Sequence, residues 1–278
     1  MLMPRSYLFV PANRPERIDK GRAAGADAVI VDLEDAVPVH EKDVGRAALA
    51  AWLLRFGTPG RDLLVRINGV GTPWHEEDVR LCKAAGVTGV ILPKNERASD
   101  LAGLATILGP EAFLLPLVES GAGMAATHEI ARAPQVQRLL FGTVDFQLDM
   151  GIEGEDLELL YFRSRLVLES NVAGIAAPVD GVTLSTDDEV RIEADTRRGK
   201  RLGFGAKLCI HPRQVAAVHR AYDPTAAEID WAQRVVAGAQ AAQGAAYALD
   251  GKLVDRPVIL KAEKILAIVA RVASAGGH

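Results

Sequence analysis

Eight short apolar runs alternate with longer amphipathic stretches, and that alternation limits the fold of this chain more than any other feature. The runs are Ser6–Ala12, Ala28–Asp35, Leu63–Gly69, Gly89–Lys94, Phe113–Ser120, Arg138–Phe146, a weak one near Val179–Val182, and Ala206–Pro212. Each has the length of a strand and is bounded by turn residues, as strands buried on both faces read. The intervening stretches are rich in Ala, Leu, Arg and Glu, which favour helix. Gly25, Gly86 and Gly109 stand where helices should stop before the next strand. Thr186-Asp187-Asp188-Glu189 reads as a capping box for the helix after the seventh run. Repeated strand–helix units predict parallel strands, and eight of them predict an α/β fold, a sheet closed into a (β/α)8 TIM barrel. A length of 278 residues suits one such barrel of about 250 residues plus an extension. A doubly wound open sheet is the structural rival, but it carries a glycine-rich first turn. Here the first turn is Pro11-Ala12-Asn13-Arg14-Pro15-Glu16.

Past the eighth run the pattern changes. Residues 1–222 are read as the barrel and 223–278 as a C-terminal helical appendage. Thr225-Ala226-Ala227-Glu228 is a second capping box, followed by an alanine-rich helix to about Gln243. The segment ALDGKLVDRP reads as a turn, and a last apolar helix is expected from about Pro257 to Ala273. Helices in excess of a complete barrel need an apolar surface. The appendage is expected to reach over a barrel mouth, covering its own barrel or, in the preferred reading, that of a neighbouring subunit.

A net charge of −4 with no block of like charge points away from a nucleic-acid partner. No apolar segment approaches the roughly 20 residues of a membrane span. The N-terminal apolar run is broken by Pro11 and is too short for a signal peptide. Cys82 and Cys209 lie far apart with no metal-ligand spacing, as buried thiols of a reducing compartment do. A cytoplasmic location is expected.

Polar residues cluster at the ends of the apolar runs: Asp32, Glu34 and Asp35, then Arg66 and Asn68, Lys94, Glu119, Asp145 and His211. In a (β/α)8 barrel all strands end at one mouth, where active sites lie, so these residues should converge. Glu119 and Asp145, with no His or Cys cluster near them, suit a hard oxygen-seeking ion such as Mg²⁺; the alternative is that each is an ordinary strand-end acid paired with a base. By strand alternation Arg66 and Asn68 should face the same way. The Arg66 fork could grip a substrate carboxylate or pair with Asp35 or Glu34. Asp32 and Glu34 share a face and are read as supports behind the ligands. Lys94 is read as a fixed cation beside the acids in preference to a Schiff-base lysine. His211 reads as a hydrogen-bonded structural residue before a catalyst. Arg5 precedes the first strand and should lie at the opposite end of the barrel. Nothing marks Asp255 by position alone.

The segments RSYLFVPANRPE, VDLEDAV, VRING, LPK, PLVESGAG, FGTVDF, KLCIHPRQV and DGKLVDRP resemble, in order and over nearly the whole chain, the citrate lyase β-subunit-like branch of the HpcH/HpaI aldolase and malyl-CoA lyase families. The resemblance implies a (β/α)8 barrel, a homotrimer or hexamer, and a Mg²⁺ cofactor on Glu119 and Asp145. It implies that Arg66 holds the carboxylate of a 2-oxo acid, with Asp35 supporting that site. It implies that Asp255 enters a neighbouring subunit's site as general acid/base. Leu253-Val254 replaces the family's usual Met-Ile, and Ser120 replaces a threonine. The implied activity is Mg-dependent cleavage or formation of a 3-hydroxy-acyl-CoA or acyl-carrier thioester, such as a malyl, citramalyl or citryl ester. The rivals are an aldolase acting on a free hydroxy-oxo acid and a non-catalytic acyl-CoA-binding barrel.

Overall fold

The computed structural model describes residues 3–57, 60, 62–243 and 245–275. They fall into two compact units, Met1–His219 and Arg220–His278.

The first unit is a closed barrel of parallel strands in sequential order. The strands are β1 (Ser6–Pro11), β2 (Ala28–Asp32), β3 (Leu63–Arg66), β4 (Gly89–Leu92), β5 (Phe113–Val118), β6 (Arg138–Phe141), β7 (Ala176–Asp180) and β8 (Ala206–Cys209). Strand β1 closes the ring by pairing with both β2 and β8. Side-chain alternation sorts the apolar residues into two clusters. Tyr7, Ile30, Leu64, Ile91, Leu115, Leu140 and Leu208 fill the barrel interior. Val10, Val29, Val65, Val90, Leu114 and Leu139 face outward, against helix residues such as Ile18, Leu49, Leu101 and Leu166. Burial on both faces is why the runs read as continuously apolar. The weak seventh run is a strand that starts earlier than expected, and its pairing with β6 shifts register between Arg138 and Leu140.

Gly25, Gly86 and Gly109 have positive φ at the ends of their helices, as expected. Two boundaries differ from the sequence reading. The helix after β7 spans Glu189–Leu202 and is capped by the Asp188 side chain on the Arg191 N–H, not by Thr186. The sixth strand stops at Phe141, and a helix over Thr143–Met150 follows at once. Phe146 turns that helix inward by packing edge-on to Phe141 and Phe162.

In the second unit, Thr225 and Glu228 form the expected reciprocal capping box on helix Ala226–Ala241. ALDGKLVDRP is more than a turn. It holds an antiparallel hairpin of β9 (Tyr247–Leu249) and β10 (Lys252–Val254). Asp250 and Gly251 both have positive φ, which a tight two-residue hairpin turn requires. Helix Arg256–Ala275 follows. Ala232, Val235, Val254, Ile259 and Ala262 form the unit's own small core. Among the described residues no helix is long and apolar enough to cross a membrane. Both cysteines are buried and unpaired, and burial pushes the Cys209 thiol up to about 12.

Candidate active site

Asp32, the last residue of β2, is fully buried and organises the mouth of the barrel. Its carboxylate accepts Arg66 Nε at 2.7 Å and Arg66 Nη2 at 2.6 Å, a side-on bidentate pair. It also accepts the Glu34 and Ala36 N–H groups, each at 2.9 Å, so it fixes the loop leaving β2. Arg66 Nη1 lies 3.0 Å from Glu34 Oε2, and its guanidinium stacks over the Phe9 ring. Burial alone would lower the Arg66 charge, but Asp32 and Glu34 outweigh it and hold the group above its ordinary value. Of the five N–H donors of an arginine, those on the Asp32 edge are committed. The other terminal nitrogen, Nη1, lies beside Glu34, so two of the five N–H groups are taken by Asp32 and the rest are not. The carboxylates that hold Arg66 are thus Asp32 and Glu34; Asp35 lies elsewhere, exposed beside Lys94.

Lys94 Nζ contacts Glu34 Oε1 at 2.5 Å and Asp35 Oδ2 at 3.4 Å. Burial would lower its ammonium, yet the Glu34 hydrogen bond and the charges of Glu34, Asp35 and Glu119 hold it above the usual lysine range. An amine held so firmly protonated is poorly suited to Schiff-base chemistry. The Lys94 backbone has φ +48°, a left-handed conformation that points its N–H at Glu119 Oε1, 2.7 Å away.

Glu119 follows β5 and is buried. Burial first, then the negative charges of Glu34 and Asp145, push its carboxyl up to about 8 against the pull of Arg66 and the Lys94 N–H. Its side chain rests on Gly142: a methyl group there would stand 2.6 Å from both Cβ and Oε2 of Glu119. Gly142 also ends β6 and starts the helix whose first turn carries Asp145. Asp145 is therefore not a strand residue, as its run suggested, but a helical one brought to Glu119 by the turn at 142. It is half-buried, and among the described residues no hydrogen-bond donor reaches it.

Asn68, His211 and Arg5 stand apart from this group. Asn68 does not share a face with Arg66, because the strand ends at Arg66 and alternation ends with it. Its amide instead donates to Leu33 O and Asp78, outside the barrel. His211 Nδ1 accepts the Arg213 N–H at the start of the last barrel helix, a local structural role. Arg5 meets Asp27 ahead of β1 and β2, at the other end of the barrel. Asp255 lies in the second unit, where it starts helix Arg256–Ala275 and its Oδ1 accepts the Val258 N–H at 3.4 Å. Sequence reasoning missed Lys42. It is buried, and its Nζ donates to Leu33 O, Glu34 O and Asn68 Oδ1 at 2.7–2.8 Å. Its position mid-way between runs gave no signal. A cavity of about 420 Å³ opens beside these groups, walled by Val37, Val70 and Trp74 and bounded by Glu34, Lys42 and Lys94.

The donor set is all oxygen, with buried acids in excess of bases, which fits a hard divalent cation. Among the described residues no group of three or more His, Cys, Asp or Glu side chains is arranged to hold a metal. That leaves a site of one or two carboxylates, completed by water or substrate, as magnesium prefers.

A closed (β/α)8 barrel with an anchored arginine and a surplus of carboxylates at the strand ends has the architecture of a barrel enzyme that handles small anions. The chain belongs to the HpcH/HpaI aldolase/citrate lyase family, whose model matches residues 5–212, and by that membership it is a carbon–carbon lyase. It is 36% identical over 275 residues to the citrate lyase subunit beta-like protein of Deinococcus radiodurans, covering 95% of this chain and 96% of the relative. It is 32% identical over 276 residues to a (3S)-malyl-CoA thioesterase of Cereibacter sphaeroides, covering 97% and 96%. Among solved structures, CitE from Mycobacterium tuberculosis in complex with magnesium, acetoacetate and coenzyme A superposes with a TM-score of 0.86 at 32% identity, over 96% of this chain and 98% of that one.

Proposed function

We propose that this chain is a Mg²⁺-dependent lyase that cleaves or forms a 3-hydroxy-acyl thioester, releasing an acyl thioester and a 2-oxo acid. The observation that carries this reading is the set at the barrel mouth: Arg66 fixed by Asp32, with Glu119 next to it, pushed up first by burial and then by its acidic neighbours. Glu119 and Asp145 would hold the ion, which supplies Lewis-acid polarisation of the oxo-acid oxygens. The free terminal N–H groups of Arg66 bind the oxo-acid carboxylate and orient it, while Asp32 and Glu34 keep the guanidinium from turning. Lys94 balances Glu34 and keeps Glu119 in place through its N–H. Asp255, carried by the C-terminal appendage of a neighbouring subunit in a homotrimer or hexamer, returns a proton to the thioester α-carbon in cleavage and removes one in condensation. Magnesium, acetoacetate and coenzyme A bound together to the M. tuberculosis relative support a site with room for both halves.

The malyl-CoA thioesterase relatives favour a second reading, hydrolysis of the thioester on the same barrel. One experiment decides. Malyl-, citramalyl- and citryl-CoA are incubated with the protein and Mg²⁺, with EDTA controls. Glyoxylate, pyruvate or oxaloacetate appearing with an acyl-CoA supports the lyase, and free coenzyme A with the intact hydroxy acid supports hydrolysis. No magnesium-dependent product from any ester defeats both. Repeating the active ester on a carrier protein separates the two thioester carriers.

A further inference from the structure

Lys42 is the first residue of helix Lys42–Phe56, yet its side chain runs back beneath the loop that leaves β2. A lysine ammonium has three donors. Here Leu33 O, Glu34 O and Asn68 Oδ1 take them at 2.8, 2.7 and 2.8 Å. The Trp74 ring lies 5.3 Å from Nζ on another side. Asn68 is itself held, by Asp78 on its own N–H and amide, and Asp78 is gripped by Arg46. The ammonium therefore joins the extension of β2 to that of β3 through a rigid outer frame. Glu34, whose carbonyl it holds, is the side chain that touches both Arg66 and Lys94.

We propose that Lys42 is a positioning residue: by clamping the carbonyls of Leu33 and Glu34 to Asn68 it sets Glu34, and through Glu34 both the arginine that receives the oxo-acid half of the substrate and the lysine beside it. The consequence for binding rests on the reading given above. The clamp itself is a property of the fold and can be tested without it. Lys42 touches no reacting atom. Without its charge the two carbonyls lose their donor in a buried place, and the segment from Leu33 to Val37 loosens.

Lys42→Met and Lys42→Ala provide the test, with melting temperature and circular dichroism to confirm a folded barrel. Hydrogen exchange comes first. The amides of Glu34 and Ala36, bonded to Asp32, should exchange faster in both variants, while amides of β5 and β6 stay protected. Pyruvate binding in the presence of Mg²⁺, read by calorimetry, should weaken about tenfold to hundredfold, the usual scale for groups behind a ligand shell. In the lyase assay KM should rise more than kcat falls. Because Lys42 lines the cavity, ethylammonium or propylammonium should restore both protection and binding to Lys42→Ala, and propanol should not. Unchanged exchange at 34 and 36 overturns the clamp, whatever the enzyme's activity. Faster exchange with unchanged pyruvate affinity overturns its role at the site. A wild-type protein that binds no oxo acid counts against the lyase reading, and the exchange result still decides the clamp.

Discussion

The two ends of the barrel are both polar, and they use polarity differently. At the end where the strands begin, Arg138 is buried and donates to Ala177 O, to Pro4 O at 2.7 Å and to the Tyr7 hydroxyl at 3.1 Å. Beside it Asp27 accepts the N–H groups of Arg5 and Ser6 and meets His219 Nε2 at 3.2 Å, while Ser6 Oγ joins the same histidine. Burial would raise the Asp27 carboxyl, but the His219 hydrogen bond and the Arg5 N–H outweigh it and hold it below its ordinary value. At the other end, Glu119 and Glu34 are held above theirs. Acids whose surroundings favour the charge stabilise the fold. Acids whose surroundings oppose it keep a standing demand for a cation. The sign of the shift separates the closed end from the working end more sharply than a count of charged residues would.

That contrast can be broken from either side. The largest effect is expected at the mouth. Glu119→Gln or Asp145→Asn should cost at least about a thousandfold in kcat/KM, because an ion's stabilisation of the transition state is worth several kcal/mol. Magnesium binding by calorimetry should disappear with it. Glu119→Gln should nevertheless raise the melting temperature of the metal-free protein at pH 8, since it removes an opposed charge. A lower melting temperature in that variant would show that the acid is not opposed at all.

Asp255→Ala comes next. A general acid/base contributes about 10²–10⁴-fold, so turnover should fall by that order while magnesium affinity, read by calorimetry, is unchanged. The helix cap it provides contributes about 1 kcal/mol, too little to unfold the chain. Unchanged turnover would point to the free-acid aldolase, and no turnover even in the wild type to the non-catalytic barrel.

At the closed end, Arg138→Met should leave buried acceptors unpaired and cost roughly 3 kcal/mol of stability, measured by urea unfolding. The kcat of the folded protein should stay at wild type. A selective loss of activity would mean the ends are not independent.

The pH behaviour of the two ends should also be opposite. Glu119 is raised in the fold from 4.5 to about 8, so its contribution to stability is full below 4.5 and is lost as pH rises toward 8. Magnesium competes for the same carboxylate, and its affinity should climb with pH to about 8 and then level off. Asp27 is lowered from 3.8, so its contribution is present above that value and is lost as pH falls further. Asp27→Asn should therefore cost stability at pH 6, by about 1 kcal/mol given its partial exposure, and little at the acid extreme. Matching urea titrations of wild type and variant at the two pH values would check it.

The barrel was legible because buried parallel strands must be apolar throughout, and eight such runs leave few topologies open. The strand-end residues were legible because charge is costly inside such runs. Reading failed where a rule was carried past the element that justified it. Alternation placed Asn68 with Arg66, but β3 had already ended. The apolar continuity of Arg138–Phe146 hid the turn at Gly142, although the glycine was its signal. The sequence offers Asp35 or Glu34 as the ion-pair partner of Arg66, and Glu34 is one, but the register of β2 and β3 sets Asp32 directly opposite Arg66 and makes it the bidentate partner. Lys42 escaped because a lysine on a helix is ordinarily solvated, and nothing local marks one that reaches back into the frame.

Gly142 has an evolutionary consequence. A Cβ at this position would stand 2.6 Å from both Cβ and Oε2 of Glu119, so only a hydrogen fits beside that acid. Any lineage that acquires an alanine at 142 must first, or simultaneously, lose the side chain at 119 or move the two backbones apart, because the Cβ of residue 119 is itself in the way. Within a set of sequences the two positions should change together, and a bulkier residue at 142 would mark a barrel that has abandoned this chemistry while keeping its shape.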